Sequence, residues 1–342
     1  MAVIIVIGVF AYVKGVDLIR GALSGPDDYS GAGTKPVITV EVEKGDIGAD
    51  IATKLSEAGV VKSAAAFTDA YNTDDRAGSI QPGRYNLLSK MSAESALVVL
   101  VDPDSLIPEP TVTIPEGLRA KEVLAEIVEQ TEFSKKQVTA AYADSSSLGL
   151  PDYAKGDPEG YLFPSTYDIA PGTSPADLLR AMVDRFEQES ESLGLESAAK
   201  DLGVSPHDVV TIASLVQAEA GSADMGKVSS VVYNRLAERM RLQFDSTLHY
   251  AVDSRGEVVA GKGLREIDSP YNTYTRKGLP PTPIDSPGVE ALAAALEPAD
   301  TNHRYFVTVN LKTGRTLFTQ SYRQHLLNVE QYREYCETSD AC

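Results

Sequence analysis

The spacing of apolar residues marks the helices of this chain. Between Ser205 and Gly221, Val209, Ile212, Ala213 and Val216 recur at the i, i+3, i+4, i+7 interval of a buried stripe. Ser205 can cap that helix and Pro206 suits its first position. Asp208 puts negative charge in the first turn, and Gly221 ends the helix. The same reading predicts helices over 46–59, 63–71, 92–100, 120–130, 133–142, 175–193, 226–239, 289–296 and 322–335. Period-two alternation predicts strands at 37–42 and 111–114 and a turn into a strand at 83–87. A hairpin is expected where 305–310 and 316–319 flank Lys312-Thr313-Gly314. Residues 160–167 read as an aromatic strand or loop. The strand at 39–42 with Gly45 and a helix is echoed by the strand at 111–114 with Gly117 and a helix. That echo is either two related modules in tandem or a common local arrangement.

Segments without periodicity divide the chain. Residues 21–36 (GALSGPDDYSGAGTKP) have linker composition, and 102–110 (DPDSLIPEP) carry three prolines and three acidic residues, as a domain boundary does. The expected fold is α+β. A small α/β module covers 37–103, a mainly helical domain with a short β-sheet covers 110–335, and 336–342 form a tail. The apolar run Met1–Val13 is shorter than the roughly 20 residues that span a bilayer, and no basic region precedes it as in a signal peptide. It reads as the latter part of a truncated membrane anchor followed by a linker over 14–36, or else as a buried segment of the fold.

Composition narrows the partners. The 342 residues are 43% hydrophobic and 23% charged, which is globular. A net charge of −18 argues against nucleic acid and against electrostatic attachment to anionic lipid. There is no Trp, so any sugar-stacking surface would use the 16 Tyr or the Phe residues. Cys336 and Cys342, the two cysteines, have no metal-ligand spacing and no catalytic Cys–His pattern. They either pair or remain free on the tail. No metal or cofactor is expected.

Glu219 lies seven residues after Ile212, four after Leu215 and three after Val216, on or beside the apolar face. A carboxyl placed there is partly desolvated, so its pKa rises and it can donate a proton to a leaving oxygen. Spacing alone fits better the polar edge of a core helix or a structural pair with an arginine. Glycoside cleavage normally uses two carboxylates, and Asp245, Asp268 and Glu238 are candidates for the second. Asp245 reads equally as a cap for 246–250.

Longer motifs add a resemblance. IASLVQAEAG (212–221), VVYNRL (231–236), MRLQFDSTLHY (240–250), SPYNTYTRKGLPPTPIDSPG (269–288) and EGYLFPSTYDIAPGTS (159–174) resemble the YceG-like (MltG) family of endolytic murein lytic transglycosylases. The likeness runs from about Val37 to Tyr332. The family's acid helix usually carries two acidic residues flanking one other. Here those positions are Gln217 and Glu219, which leaves Glu219 as the catalytic candidate.

The resemblance implies a membrane-anchored, single-pass lyase with its catalytic part outside the cytoplasm. It would cut the MurNAc–GlcNAc bond of nascent peptidoglycan strands, leave 1,6-anhydro ends and terminate elongation beside peptidoglycan synthases. The first module would be a LysM-like glycan-binding unit. Asn234, Gln243, Asp245, Thr247, Tyr250, Tyr271, Asn272 and Tyr274 are the candidate substrate-binding residues, and 278–283 a rigid cleft wall. The alternatives are a hydrolytic muramidase in which Asp245 places water, and a non-catalytic peptidoglycan-binding scaffold.

Overall fold

The computed structural model describes residues 26–339 apart from 109, 171, 221–224 and 256–262. The apolar run Met1–Val13, the first part of the expected linker, Gly221 and Cys342 therefore lie outside the described residues. Among the described residues no helix is long and apolar enough to cross a membrane. The chain divides into Met1–Glu109 and Pro110–Cys342, and the architecture is α+β, with small antiparallel sheets.

In the first unit β1 (Thr34–Val42) leads through α1 (Gly48–Glu57) and α2 (Ala64–Thr73) to β2 (Gly83–Ser89), then α3 (Ala93–Leu100) and the short β3 (Leu106–Ile107). β1 and β2 pair antiparallel from Val37 opposite Leu88 to Val42 opposite Gly83, and β3 extends the sheet beyond β2. Alternation sends Val40, Val42, Tyr85 and Leu87 inward, where Leu55, Phe67 and Leu97 of the helices cover them. Residues 26–36, despite their linker composition, are tied into the first unit. β1 starts at Thr34, the Asp28 carboxylate accepts the Ala93 N–H at the start of α3, and the Gly31 carbonyl accepts the Ser92 N–H. Polar side chains there satisfy a helix end, a use that composition alone does not show.

The second unit opens with β4 (Thr111–Thr113), α4 (Ala120–Gln130), α5 (Lys135–Ala143), β5 (Thr166–Asp168) and α6 (Pro175–Ser192). β4 pairs antiparallel with β5, and Val112, Ile127, Val138, Leu162 and Met182 share one core. Of 160–167, residues 160–165 are irregular loop opening on a turn, and the strand begins at Thr166. α7 (Leu195–Leu202) was not foreseen. Gly194, in the left-handed conformation at φ 63°, breaks what otherwise reads as a continuing polar helix.

α8 (Pro206–Glu219) then runs through the second core. The rest of the unit is α9 (Met225–Ala237), α10 (Asp245–Ala251), α11 (Val289–Leu296), the hairpin β6 (Tyr305–Asn310) with β7 (Arg315–Thr319), and α12 (Tyr322–Thr338). Cys336 of α12 is disulfide-bonded.

Candidate active site

α8 is more buried than an amphipathic stripe requires. His207 and every residue from Val209 to Val216 are buried. The polar members are satisfied locally: the Thr211 hydroxyl donates to the His207 carbonyl at 2.9 Å and the Ser214 hydroxyl to that of Thr211 at 2.8 Å. The entry is fixed as the sequence predicts, with Ser205 and Asp208 forming a capping box and Pro206 in the first turn. His207 adds an anchor, its ring bridging the Tyr161 hydroxyl at 2.9 Å and the Pro281 carbonyl at 3.0 Å. A helix held this firmly can aim whatever side chain stands at its far end.

That side chain is Glu219, the last residue of α8. It lines a cleft of about 440 Å³ with Glu116, Arg119, Asp245, Ser246, Arg255 and Asp285. Burial is the first cause that raises its pKa above the usual carboxyl value. The Ser246 N–H, donating to Oε1 at 3.3 Å, opposes that shift, the charge of Asp245 adds to it, and the buried Arg235 opposes it. Position reinforces the balance, because a carboxylate at a helix C-terminus meets the negative end of the macrodipole.

Asp245 opens α10 as its first helical residue, and the cap position is Phe244. Its Oδ1 accepts the Tyr274 hydroxyl at 2.6 Å, and Oδ2 lies 3.7 Å from the Arg265 guanidinium, which stacks over the Tyr274 ring at 4.9 Å. Thus Asp245 and Tyr274 come together beside Glu219. The other two carboxylates do not. Glu238 pairs with Arg304 and Asp268 with Arg276, and neither lines the cleft.

The remaining sequence candidates separate by what their polar atoms meet. Tyr250 donates to Glu159 at 3.0 Å and packs its ring 4.8 Å from that of Tyr271, whose hydroxyl is paired with Thr282. Thr247 bonds the Phe244 carbonyl and the Thr273 hydroxyl. Asn234 directs Nδ2 to the carbonyls of Thr301 and His303, both at 2.9 Å, so it fastens α9 to the loop between α11 and β6 instead of facing the cleft. Asn272 is fully buried. Its Nδ2 donates to Arg265 and Ile267 carbonyls and its Oδ1 accepts the N–H groups of Tyr274 and Thr275, an arrangement that folds the loop carrying Tyr274. Gln243 is exposed, with φ at 54° and its N–H on the Thr273 carbonyl.

Several cleft residues escaped the sequence reading. Glu116, Arg119, Arg255 and Asp285 reach the site from segments far from α8. Gln217 accepts the Gly288 N–H at 3.0 Å, tying α8 to the start of α11. The Glu116 carboxyl lies close enough to Gly288 that a Cβ there would be 2.1 Å from its Oε1, so a larger residue at 288 would displace the Glu116 side chain. Behind Tyr250, Glu159 is 7% exposed. Burial pushes its carboxyl up to about 7, against hydrogen bonds from the Ala120 N–H and the Tyr250 hydroxyl.

This chain is similar to known proteins in sequence and, for one of them, in fold. Residues 40–331 match the model of the YceG-like family. A Bacillus subtilis strain 168 protein named endolytic murein transglycosylase is 34% identical over 315 residues, covering 87% of this chain and 86% of its own. A protein of the same name from Streptococcus pneumoniae D39 is 31% identical over 88% of this chain, and the match spans 59% of that longer protein. The crystal structure of a yceG-like protein from Listeria monocytogenes superposes with a TM-score of 0.57 at 27% identity, covering 86% of this chain and 99% of that one.

Proposed function

The chain belongs to the YceG-like family, and from that premise we propose how it acts as a peptidoglycan lytic transglycosylase, a lyase, with Glu219 as its acid and base. The observation that carries the proposal is the desolvated Glu219 carboxyl, placed by a rigid helix in a polar cleft. A neutral carboxyl donates its proton to the glycosidic oxygen as the C1–O bond breaks. The resulting carboxylate then takes the proton of the C6 hydroxyl of the same muramoyl sugar. The C6 oxygen closes on C1, the 1,6-anhydro ring forms, and Glu219 is protonated again without water entering the product.

Two features support acid and base work by one residue. Burial favours the neutral form, while the Ser246 N–H and the Arg235 charge limit the penalty on the anion formed in mid-reaction. Asp245 has its oxygens engaged by Tyr274 and Arg265, which supports a part in shaping the cleft. Its presence beside Glu219 is also what favours the second reading, hydrolysis by a water that Asp245 places. Mass spectrometry of products from uncrosslinked glycan decides between them, because a reducing end contains one more water than an anhydro end. Anhydro ends with the wild-type chain, and none with Glu219→Gln, are expected.

Three parts of the reading extend beyond the cleft. The strand–helix–helix–strand order of the first unit supports a LysM-like glycan-binding module. The apolar run Met1–Val13 supports a membrane anchor with the catalytic unit outside the cytoplasm. An endolytic cut on strands still being made would make the protein a terminator of glycan elongation, working alongside peptidoglycan synthases.

A further inference from the structure

Beside the cleft, the second unit holds another cavity, of about 850 Å³, between α4 and α5. A space of that size is typical of a ligand pocket. Arg119 lines both the cleft and this cavity, so the two adjoin at its side chain. Leu124 and Val128 of α4, Val138 and Tyr142 of α5 and the ring of Tyr250 give the cavity an apolar wall. Charge of both signs interrupts that wall: Arg119, Lys121 and Lys135 line it together with Glu129, Asp253 and Glu159.

Arg119 is 5% exposed. Its Nη2 donates to the Ser254 carbonyl at 2.7 Å, and its guanidinium stands 5.4 Å from the centre of the Tyr250 ring. Nη1 has no hydrogen-bond acceptor among the described residues. The Asp253 carboxylate is 3.6 Å from it, beyond hydrogen-bond distance, and is bound by Lys121. Glu159 is already engaged by the Ala120 N–H and the Tyr250 hydroxyl. A buried guanidinium with an unused donor is a cost to the fold, and a carboxylate brought by a ligand removes it.

These features narrow the occupant. An acyl chain would leave the charged groups without partners, and a further sugar ring would put hydroxyls against the apolar wall. A short peptide with methyl side chains, carboxylates and an amine matches every part of the lining. The substrate of the reaction proposed above carries such a peptide, on the lactyl group of its muramoyl sugar.

We propose that the cavity between α4 and α5 takes the peptide borne by the muramoyl sugar, with Arg119 receiving one of its carboxylates, so that the enzyme selects peptide-bearing over bare glycan. The methyl groups lie on the α4–α5 wall, and the amine meets the exposed Glu129. The proposal rests on the transglycosylase reading above.

The test uses the full chain on uncrosslinked strands that carry their peptides and on the same strands after hydrolysis of the lactyl amide bond. The wild type is expected to show a kcat/KM at least about tenfold higher on peptide-bearing strands. Hydrolysis leaves a lactyl carboxylate but nothing to fill the cavity, so variants of the wall carry the decision. Ala125 and Thr139 are exposed residues of α4 and α5 that line the cavity, and Ala125→Trp and Thr139→Trp each put an indole into it. In both, the preference should fall to about twofold or less, through a higher KM on peptide-bearing strands at similar kcat. Thermal midpoints within a few degrees of the wild type would show that both fold. The proposal is overturned if the wild type cuts both substrates equally or if either folded variant keeps the wild-type preference. Failure of both variants to fold would show that the space is not open, and overturns it as well. A wild-type chain that cuts neither substrate removes the transglycosylase reading, and the proposal with it. Equal cutting of the two leaves that reading intact.

Discussion

Glu219 Oε1 and the backbone N–H of Ser246 lie 3.3 Å apart, joining the end of α8 to the first turn of α10. The bond gives the carboxyl a donor that it can use in either protonation state. Burial holds Glu219 above the ordinary carboxyl pKa, and Ser246 keeps the anion accessible. Glu219→Gln preserves the shape and removes the transferable proton. Turnover should fall by about 1000-fold or more, since proton transfer contributes about 100- to 10,000-fold and the base step is lost as well. The thermal midpoint should not fall. Product release assays and calorimetry on the same preparation check both halves.

The direction of the pKa also fixes a limb of the pH profile. The acid must be protonated at the start of the reaction, so kcat/KM should decline as pH rises through the elevated Glu219 pKa. Ser246→Pro removes both the hydroxyl and the N–H that favour the Glu219 anion, at the second position of a helix, where proline is tolerated. That change should move the declining limb to higher pH, because the hydrogen bonds favouring the anion are gone. A limb that stays in place or moves to lower pH counts against the role given to Ser246.

Asn234 separates a structural amide from a sugar-binding one. Its Nδ2 holds the Thr301 and His303 carbonyls, so Asn234→Ala leaves two carbonyls with one fewer donor. A loss of about 1–3 kcal/mol in stability is expected, measured by denaturant unfolding. Corrected for the folded fraction, KM for glycan should stay within about twofold, since no contact with the substrate is removed. A large rise in KM without loss of stability would return Asn234 to the substrate.

The contrast shows what a single sequence carries. The helix that ends at Glu219 was legible because Ser205, Pro206 and Asp208 mark its start and apolar spacing marks its register. Such signals are local. The cleft is not local: Glu116 and Arg119 precede Glu219 by about a hundred residues, and Asp285 follows a proline run that reads as a stiff loop. No periodicity links those positions. Amides mislead for another reason, because Asn234 and Asn272 bind backbone carbonyls with the same N–H groups that would bind sugar hydroxyls. Composition failed at Asp28, where a polar residue in a Gly-rich stretch accepts the first N–H of α3, which Ser92 caps.

Gly160 tests the packing against Pro283. Its φ is 87°, and a Cβ there would lie 2.4 Å from Cβ of Pro283. Gly160→Ala therefore meets both a left-handed backbone and a stiff ring that cannot swing aside. It should destabilise the fold by more than the roughly 1 kcal/mol typical of a glycine at positive φ. Any displacement would push Pro283 and the Asp285 carbonyl oxygen, 3.4 Å from the added Cβ, so residual folded protein should also cut glycan more slowly. Denaturant unfolding and initial rates on the purified variant test the two effects separately.

Glu159 makes stability itself depend on pH. Its carboxyl is buried and pushed up to about 7 from a starting value of 4.5, with burial as the first cause. The folded chain therefore binds a proton more tightly than the unfolded chain. The resulting stabilisation is fully present below about 4.5, erodes as pH rises toward 7, and is gone above it. The shift corresponds to about 3 kcal/mol as an upper figure, at 1.4 kcal/mol per unit. Glu159→Gln keeps an oxygen for the Ala120 N–H and cannot ionise. The variant should match the wild type near pH 5 and exceed it near pH 8, with a flatter slope of unfolding free energy between them. Denaturant unfolding at a series of pH values measures that slope, and parallel curves for the two proteins would show that Glu159 is not the group responsible.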